Sequence, residues 1–208
     1  MKGLLLKDFY MIWKYFKMYF LVDIVFILIS FFSDNNIMFV TIPIMLSGIM
    51  PITLLAYDER SRWTEYCGAL PYSGAQIVSA KYLVGLIMQA ATSFAVFISL
   101  LIKDDTFISG HSEEILMSVI AMFIIALMFP SICMPFSLKF GTEKGRLIYY
   151  VVIAAVAGAV MLSMESTDEI PYKLQSNTVP LIPIGLIVLY VLSWLLSVVL
   201  YNHKEVGK

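Results

Sequence analysis

The stretch YDERSRWTEYCGALP, residues 57–71, sets five charges and a tryptophan between two long apolar segments. Its surroundings explain why it stands out. Of the 208 residues, 60% are hydrophobic and only 14% are charged, whereas an average soluble chain carries roughly 25% charged residues. A water-soluble domain of this length has too little interior to hide that much apolar surface, so lipid is the natural solvent. The net charge of −1 gives no basic balance for nucleic acid. The two cysteines, Cys67 and Cys133, form neither a disulfide framework nor a metal-ligand spacing.

Crossing about 30 Å of hydrocarbon takes about 20 mostly apolar residues in a helix. Working outward from 57–71, six stretches approach or meet that length: about 18–33, 37–57, 76–102, 115–137, 147–164 and 180–201. The expected fold is therefore an all-α polytopic membrane protein, one domain over residues 1–208. No segment between spans is long enough to hold a core of its own. The start, MKGLLLKDFYMIWKYFK, has lysines scattered through it and no small-residue cleavage site, so it is expected to be retained.

Charge sets the orientation. With the N-terminus inside, 12 of the 14 lysines and arginines fall on the inner side, leaving only Lys103 and Lys173 outside. This is the positive-inside bias. Both termini, and the 57–71 stretch with them, are expected in the cytoplasm of a multi-pass plasma-membrane protein.

Before the first span, Leu5, Phe9, Ile12 and Phe16 recur at helical spacing, with Lys7 and Lys14 opposite and Trp13, Tyr10 and Tyr15 as amphipathic rings. This pattern predicts an amphipathic helix over 1–17 lying in the plane of the interface. Further on, Glu59, Trp63, Tyr66 and Leu70 share a helical face, and Asp58 stands four residues before Arg62, in position to pair with it. Pro71 stops that helix, and Ser73 with Gln76 has capping-box spacing for the next span. Two readings of the short helix are open: aromatics resting on headgroups, or a docking element whose aromatic and arginine residues anchor a partner.

At these residues the sequence resembles the ABC-2-type transporter permeases of Gram-positive bacteria. The resemblance lies in D-E-R, W-x-x-Y, a small-residue step into L-P, and I-V-x-x-K-Y-L entering the third span, all within 57–83. It implies that the segment between the second and third spans is a coupling helix seated in a groove of a separate ATP-binding subunit. Asp58, Glu59, Arg60, Arg62, Trp63, Tyr66, Leu70 and Pro71 would form the contact, with Lys81 and Tyr82 just above. It also implies that ATP and magnesium belong to the partner, that the chain is not itself an enzyme, and that it acts as a homodimer or beside a sibling permease. A hydrophobic or amphipathic cargo, such as a peptide toxin or antimicrobial peptide, fits short outer loops and apolar spans.

The residues agree with that division of labour. No G-x-x-x-x-G-K-[ST] phosphate cradle is present, and 141–146 (GTEKGR) lacks its spacing. Asp23, Gln89, Thr92 and Ser93 place polar groups inside spans, where they serve as glue between helices or as ligand contacts. Alternatives are an ion-gradient-driven secondary transporter and a structural membrane protein without transport. No Ser–His–Asp set, acid pair or H-E-x-x-H supports an intramembrane hydrolase.

Overall fold

A computed structural model describes residues 2–32, 36–67, 71–103, 112–165 and 181–206. The elements there are all helical: α1 (Lys2–Tyr15), α2 (Lys17–Phe32), α3 (Asn36–Ser47), α4 (Met50–Arg60), α5 (Trp63–Cys67), α6 (Gly74–Lys103), α7 (Ser112–Phe140), α8 (Thr142–Glu165) and α9 (Leu181–Val206). In hydrocarbon a helix satisfies its own backbone groups, which is why long apolar runs fold this way.

Four helical stretches among the described residues are long and apolar enough to cross a membrane: Phe39–Arg60, Gly74–Lys103, Ile115–Phe140 and Ile184–His203. The pair α1 and α2, bent by 66° at Phe16, would make a fifth if taken together. The expected span at 147–164 falls within α8. The expected second span, 37–57, comes as two helices, broken between Ser47 and Met50. Pro51 at the start of α4 has no N–H to continue the ladder, and Gly48 and Ile49 turn back to the carbonyls of Met45 and Leu46. Gly48 also lets α7 approach: a Cβ there would lie 3.6 Å from the Pro130 ring and 3.2 Å from the Met45 carbonyl.

Packing gathers α6, α7 and α9 around a core that includes Phe129, Met134, Tyr82, Ile52 and Tyr149. Polar side chains lock it. The Tyr82 hydroxyl lies 2.8 Å from both Ser193 and Ser197, Tyr190 donates to the Tyr82 carbonyl at 2.9 Å, and Trp194 donates to Ser79 at 2.9 Å. Replacing Tyr82 by phenylalanine strips two buried serine hydroxyls of a partner. It should cost about 1–3 kcal/mol and lower the thermal midpoint by several degrees in detergent. An unchanged midpoint would show that this node contributes nothing. The outer face of α9 leaves Ile184, Val188, Leu192, Leu195 and Val199 exposed, as a lipid-facing helix does.

One end of the bundle collects most of the described cationic residues. Gly3 lies against Tyr72, and Gly74 against Tyr201 and Asn202, so the two ends of the described chain meet at the start of α6. The capping box forms as expected: Gln76 N–H donates to Ser73 Oγ, and Ser73 N–H to Gln76 Oε1, each at 3.3 Å.

The N-terminal helix differs from its expected register. Leu4, Asp8, Ile12 and Phe16 are buried against the protein, whereas Phe9 is exposed, Leu5 is half-buried and Lys7 turns inward. The free apolar face is instead Leu6, Phe9, Tyr10 and Trp13. Neighbouring helices compete for the stripe that would otherwise meet lipid, and the inward face wins because it carries the charge partners described below.

Candidate functional site at the charged end of the bundle

Three helices bring one buried ionic network together. Asp58, two residues before the end of α4, directs one carboxylate oxygen to Lys7 of α1 at 2.7 Å and the other to Lys81 of α6 at 2.6 Å. Asp8 of α1 receives Lys81 at 2.7 Å and Lys7 at 3.2 Å. Asp8, Asp58 and Lys81 are each no more than 2% exposed. The two ammonium groups and two carboxylates cancel formally, and each ion has an opposite charge within hydrogen-bonding reach. That is the condition under which buried charges are tolerated. Lys7 also lies 4.3 Å from the centre of the Trp63 ring, which brings α5 into the same cluster.

This geometry corrects two expectations. Asp58 does not pair with Arg62, because its carboxylate is taken up inside the protein. Nor is 58–71 one helix. Its α4 part stops at Arg60, Arg62 takes a left-handed conformation with φ 51°, and α5 starts at Trp63. Such a φ is uncommon for a side chain other than glycine, asparagine or aspartate. Here it turns the chain sharply enough for Trp63 to fold back over Lys7. The shared face of Glu59, Trp63 and Tyr66 is lost with the helix.

The residues expected to meet a partner thus divide. Asp58 is buried, and Trp63 is half-buried against the core with its indole N–H unpartnered among the described residues. Arg60, Arg62, Tyr66 and Pro71 face outward, Tyr66 with 61% of its surface exposed. Glu59 is exposed yet engaged: its carboxylate accepts the Thr142 backbone N–H at 3.2 Å and the Thr142 hydroxyl at 2.6 Å. A carboxylate at a helix N-terminus is favoured by the helix dipole, so Glu59 caps α8. Leu70 lies outside the described residues.

The cap closes one side of a cleft of about 550 Å³ between the end of α4 and the α7–α8 turn. Arg60, Lys144 and Arg146 line it with Glu59, Glu143 and Phe140. The turn depends on Gly141, which has φ 94° and donates back to the Ser137 carbonyl, a common way to end a helix. This end presents an exposed tyrosine, guanidinium groups and a charged recess above the buried ion pairs.

The intramembrane polar residues are also placed. Asp23, Gln89, Thr92 and Ser93 are all buried. Thr92 returns its hydroxyl to the Gln89 carbonyl at 3.0 Å. Both carboxylate oxygens of Asp23, Gln89 Nε2 and Ser93 Oγ have no partner among the described residues. Among the described residues, no group of three or more His, Cys, Asp or Glu side chains is placed to hold a metal ion.

Of the network's members, Lys7 and Asp8 were not legible as a site in the sequence, and Lys81 was placed only just above the expected contact. A signal was present: Asp8 interrupts the period-four series Leu4, Ile12, Phe16, and a charge within an apolar stripe needs a buried partner.

No curated protein and no solved structure matches the chain significantly. The sequence does match the family described as ABC-2 family transporter protein over residues 3–202, from before the ionic network to the end of α9's contact with α6. With apolar spans, a charged end built from 57–67 and nearly the whole length matched, the chain belongs to the ABC-2 family of transporter proteins, as an ABC permease.

Proposed function

We propose that the chain is the permease subunit of an ATP-driven exporter and that residues 59–67 are its docking element for a cytoplasmic ATPase subunit. The observation that carries this is the buried network Lys7–Asp58–Lys81–Asp8, which holds the base of that element while Arg60, Arg62 and Tyr66 stay exposed. A docking element has to transmit force, and force passes through a fixed base. Here a push on α5 reaches α1 through Trp63 and Lys7, α6 through Asp58 and Lys81, and α8 through Glu59.

In this reading the chain has six spans, with α1 lying in the membrane interface on its Leu6, Phe9, Tyr10 and Trp13 face. The network end faces the cytoplasm, as the concentration of lysine and arginine there favours. ATP and magnesium are bound by the partner, and the full pathway needs a second permease copy or a sibling. A hydrophobic or amphipathic cargo, such as a peptide toxin or antimicrobial peptide, suits the apolar helices.

The direct test is co-purification: the tagged permease, expressed with its cognate ATPase, should retain the ATPase through size exclusion in detergent. A permease that never holds an ATPase removes this reading. Orientation is tested separately. Cysteines introduced at Ser109 and Asn177 should react with an impermeant thiol reagent outside intact cells, and one at Glu143 should react only after the cells are opened. Labelling at 143 from outside would invert the topology.

A further inference from the structure

Two apolar clusters flank a polar layer inside the bundle. Toward the charged end, Phe16, Met50, Leu54, Val84 and Met88 pack together, with Phe20 against them. Toward the other end, Val40, Ile44, Val96, Val119 and Ala126 do the same, with Ile27 against them. Every helix that enters both clusters changes character in between. On α2, Asp23 lies between Phe20 and Ile27 at spacings of three and four, hence on the same face. On α6, the residues between Met88 and Val96 include buried Gln89, Thr92 and Ser93. Between Ile44 and Met50 the chain carries buried Ser47 and the break that separates α3 from α4.

Asp23, Gln89 and Ser93 thus occupy one level, bounded by apolar packing on both sides. Gln89 and Ser93 lie near the middle of α6, a 30-residue helix about 45 Å long at 1.5 Å per residue. Among the described residues, the buried side-chain nitrogens and oxygens without a hydrogen-bond partner belong to these three residues and Trp63. Orphaned polar groups are heavily penalised in hydrocarbon, and where they gather beside a discontinuous helix in a transporter they mark a place for a ligand.

We infer that this layer is a binding site for a primary ammonium group carried on an apolar body, with Asp23 as its counter-charge. This deepens the permease reading and rests on it, by assigning the layer to a cationic group of an amphipathic cargo. The chemistry selects the ligand. One carboxylate balances one positive charge, and an ammonium group presents three donors, which the two Asp23 oxygens and the Ser93 hydroxyl can accept. The Gln89 amide N–H groups then donate to Asp23 or to a carbonyl on the ligand. With a single carboxylate, the site is short of the oxygen cage that a divalent ion requires. The flanking Phe20, Met88, Ile27 and Val96 suit alkyl chain rather than water.

The test uses the full chain in lipid nanodiscs. Dicyclohexylcarbodiimide modifies protonated carboxyl groups in apolar surroundings, and peptide mass spectrometry reads the rate at Asp23, with exposed Glu143, labelled by a water-soluble carbodiimide in a parallel sample, as reference. Dodecylammonium, below its micellar concentration, should slow modification of Asp23 about tenfold and leave Glu143 unchanged, while dodecanol and sodium chloride should have no effect. In the double variant Gln89→Leu with Ser93→Ala, which keeps Asp23, the protection should fall several-fold. The inference is overturned if dodecylammonium gives no protection, if dodecanol protects equally, or if the double variant is protected like the wild type. Protection by sodium chloride at the same level would overturn the ammonium assignment. None of these readouts involves the ATPase, so their failure leaves the co-purification test untouched.

Discussion

Replacing Lys81 by methionine should destabilise the permease more than any other single change at the charged end. The side chain is buried, and its ammonium group lies 2.7 Å from Asp8 and 2.6 Å from Asp58. Methionine fills similar space but leaves two buried carboxylates facing the one ammonium of Lys7. Breaking a buried pair in this way costs about 3–5 kcal/mol, a large part of the 5–15 kcal/mol that holds a typical domain folded. The thermal midpoint of the purified protein should fall by roughly 10 °C. Combining Lys81→Met with Asp8→Asn removes one charge of each sign and leaves the Lys7–Asp58 pair, so most of the loss should be recovered. A Lys81→Met protein melting within a degree or two of wild type would show that the network does not support the fold. Failure of the second change to rescue would show that the damage is one of packing.

The second large effect is expected at Tyr66. Its ring is exposed, lies tilted against Trp63 at 5.5 Å between centroids, and projects from the short helix that the network holds. Exposed aromatic residues at the centre of an interface commonly contribute about 2 kcal/mol or more, equal to roughly a 30-fold loss of affinity. Tyr66→Ala should therefore shed the ATPase during purification and uncouple ATP hydrolysis from cargo, with the permease's own melting temperature unchanged. Arg60→Ala and Arg62→Ala should each weaken association less, and in a salt-dependent way, because exposed charge pairs are worth little. Trp63→Ala should behave differently. That ring packs into the core and carries Lys7, so its loss should lower stability as well as docking. If Tyr66→Ala retains the ATPase at wild-type stoichiometry, the helix is an interfacial anchor and not a docking element.

What the sequence made legible follows the range of the interactions. The capping box at Ser73 and Gln76 joins residues three apart, and it formed as expected. The apolar runs announced helices because each satisfies its own backbone. The N-terminal helix was legible as a helix, but the stripe expected to meet the membrane interface divides: Ile12 and Phe16 are buried against the protein with Leu4 and Asp8, and Phe9 stays exposed. The partners that decide the register, Asp58 and Lys81, lie 51 and 73 residues away from Lys7 and Asp8. Likewise Asp58 reads as one charge in a polar run; only the assembled bundle turns it inward. The break of α4 at Arg62 had no glycine to mark it.

The same network has a consequence for synthesis. Asp8 and Lys7 emerge first and Asp58 later, but Lys81 leaves the ribosome only with the third apolar segment. Until then the early part of the chain has one ammonium for two carboxylates, and burying that set would be heavily penalised. On that charge count the N-terminal helix is expected to seat against α4 only once α6 supplies the missing charge. A chain truncated before residue 81 is therefore expected to leave its first helix undocked, which faster cleavage near Lys7 in limited proteolysis would show.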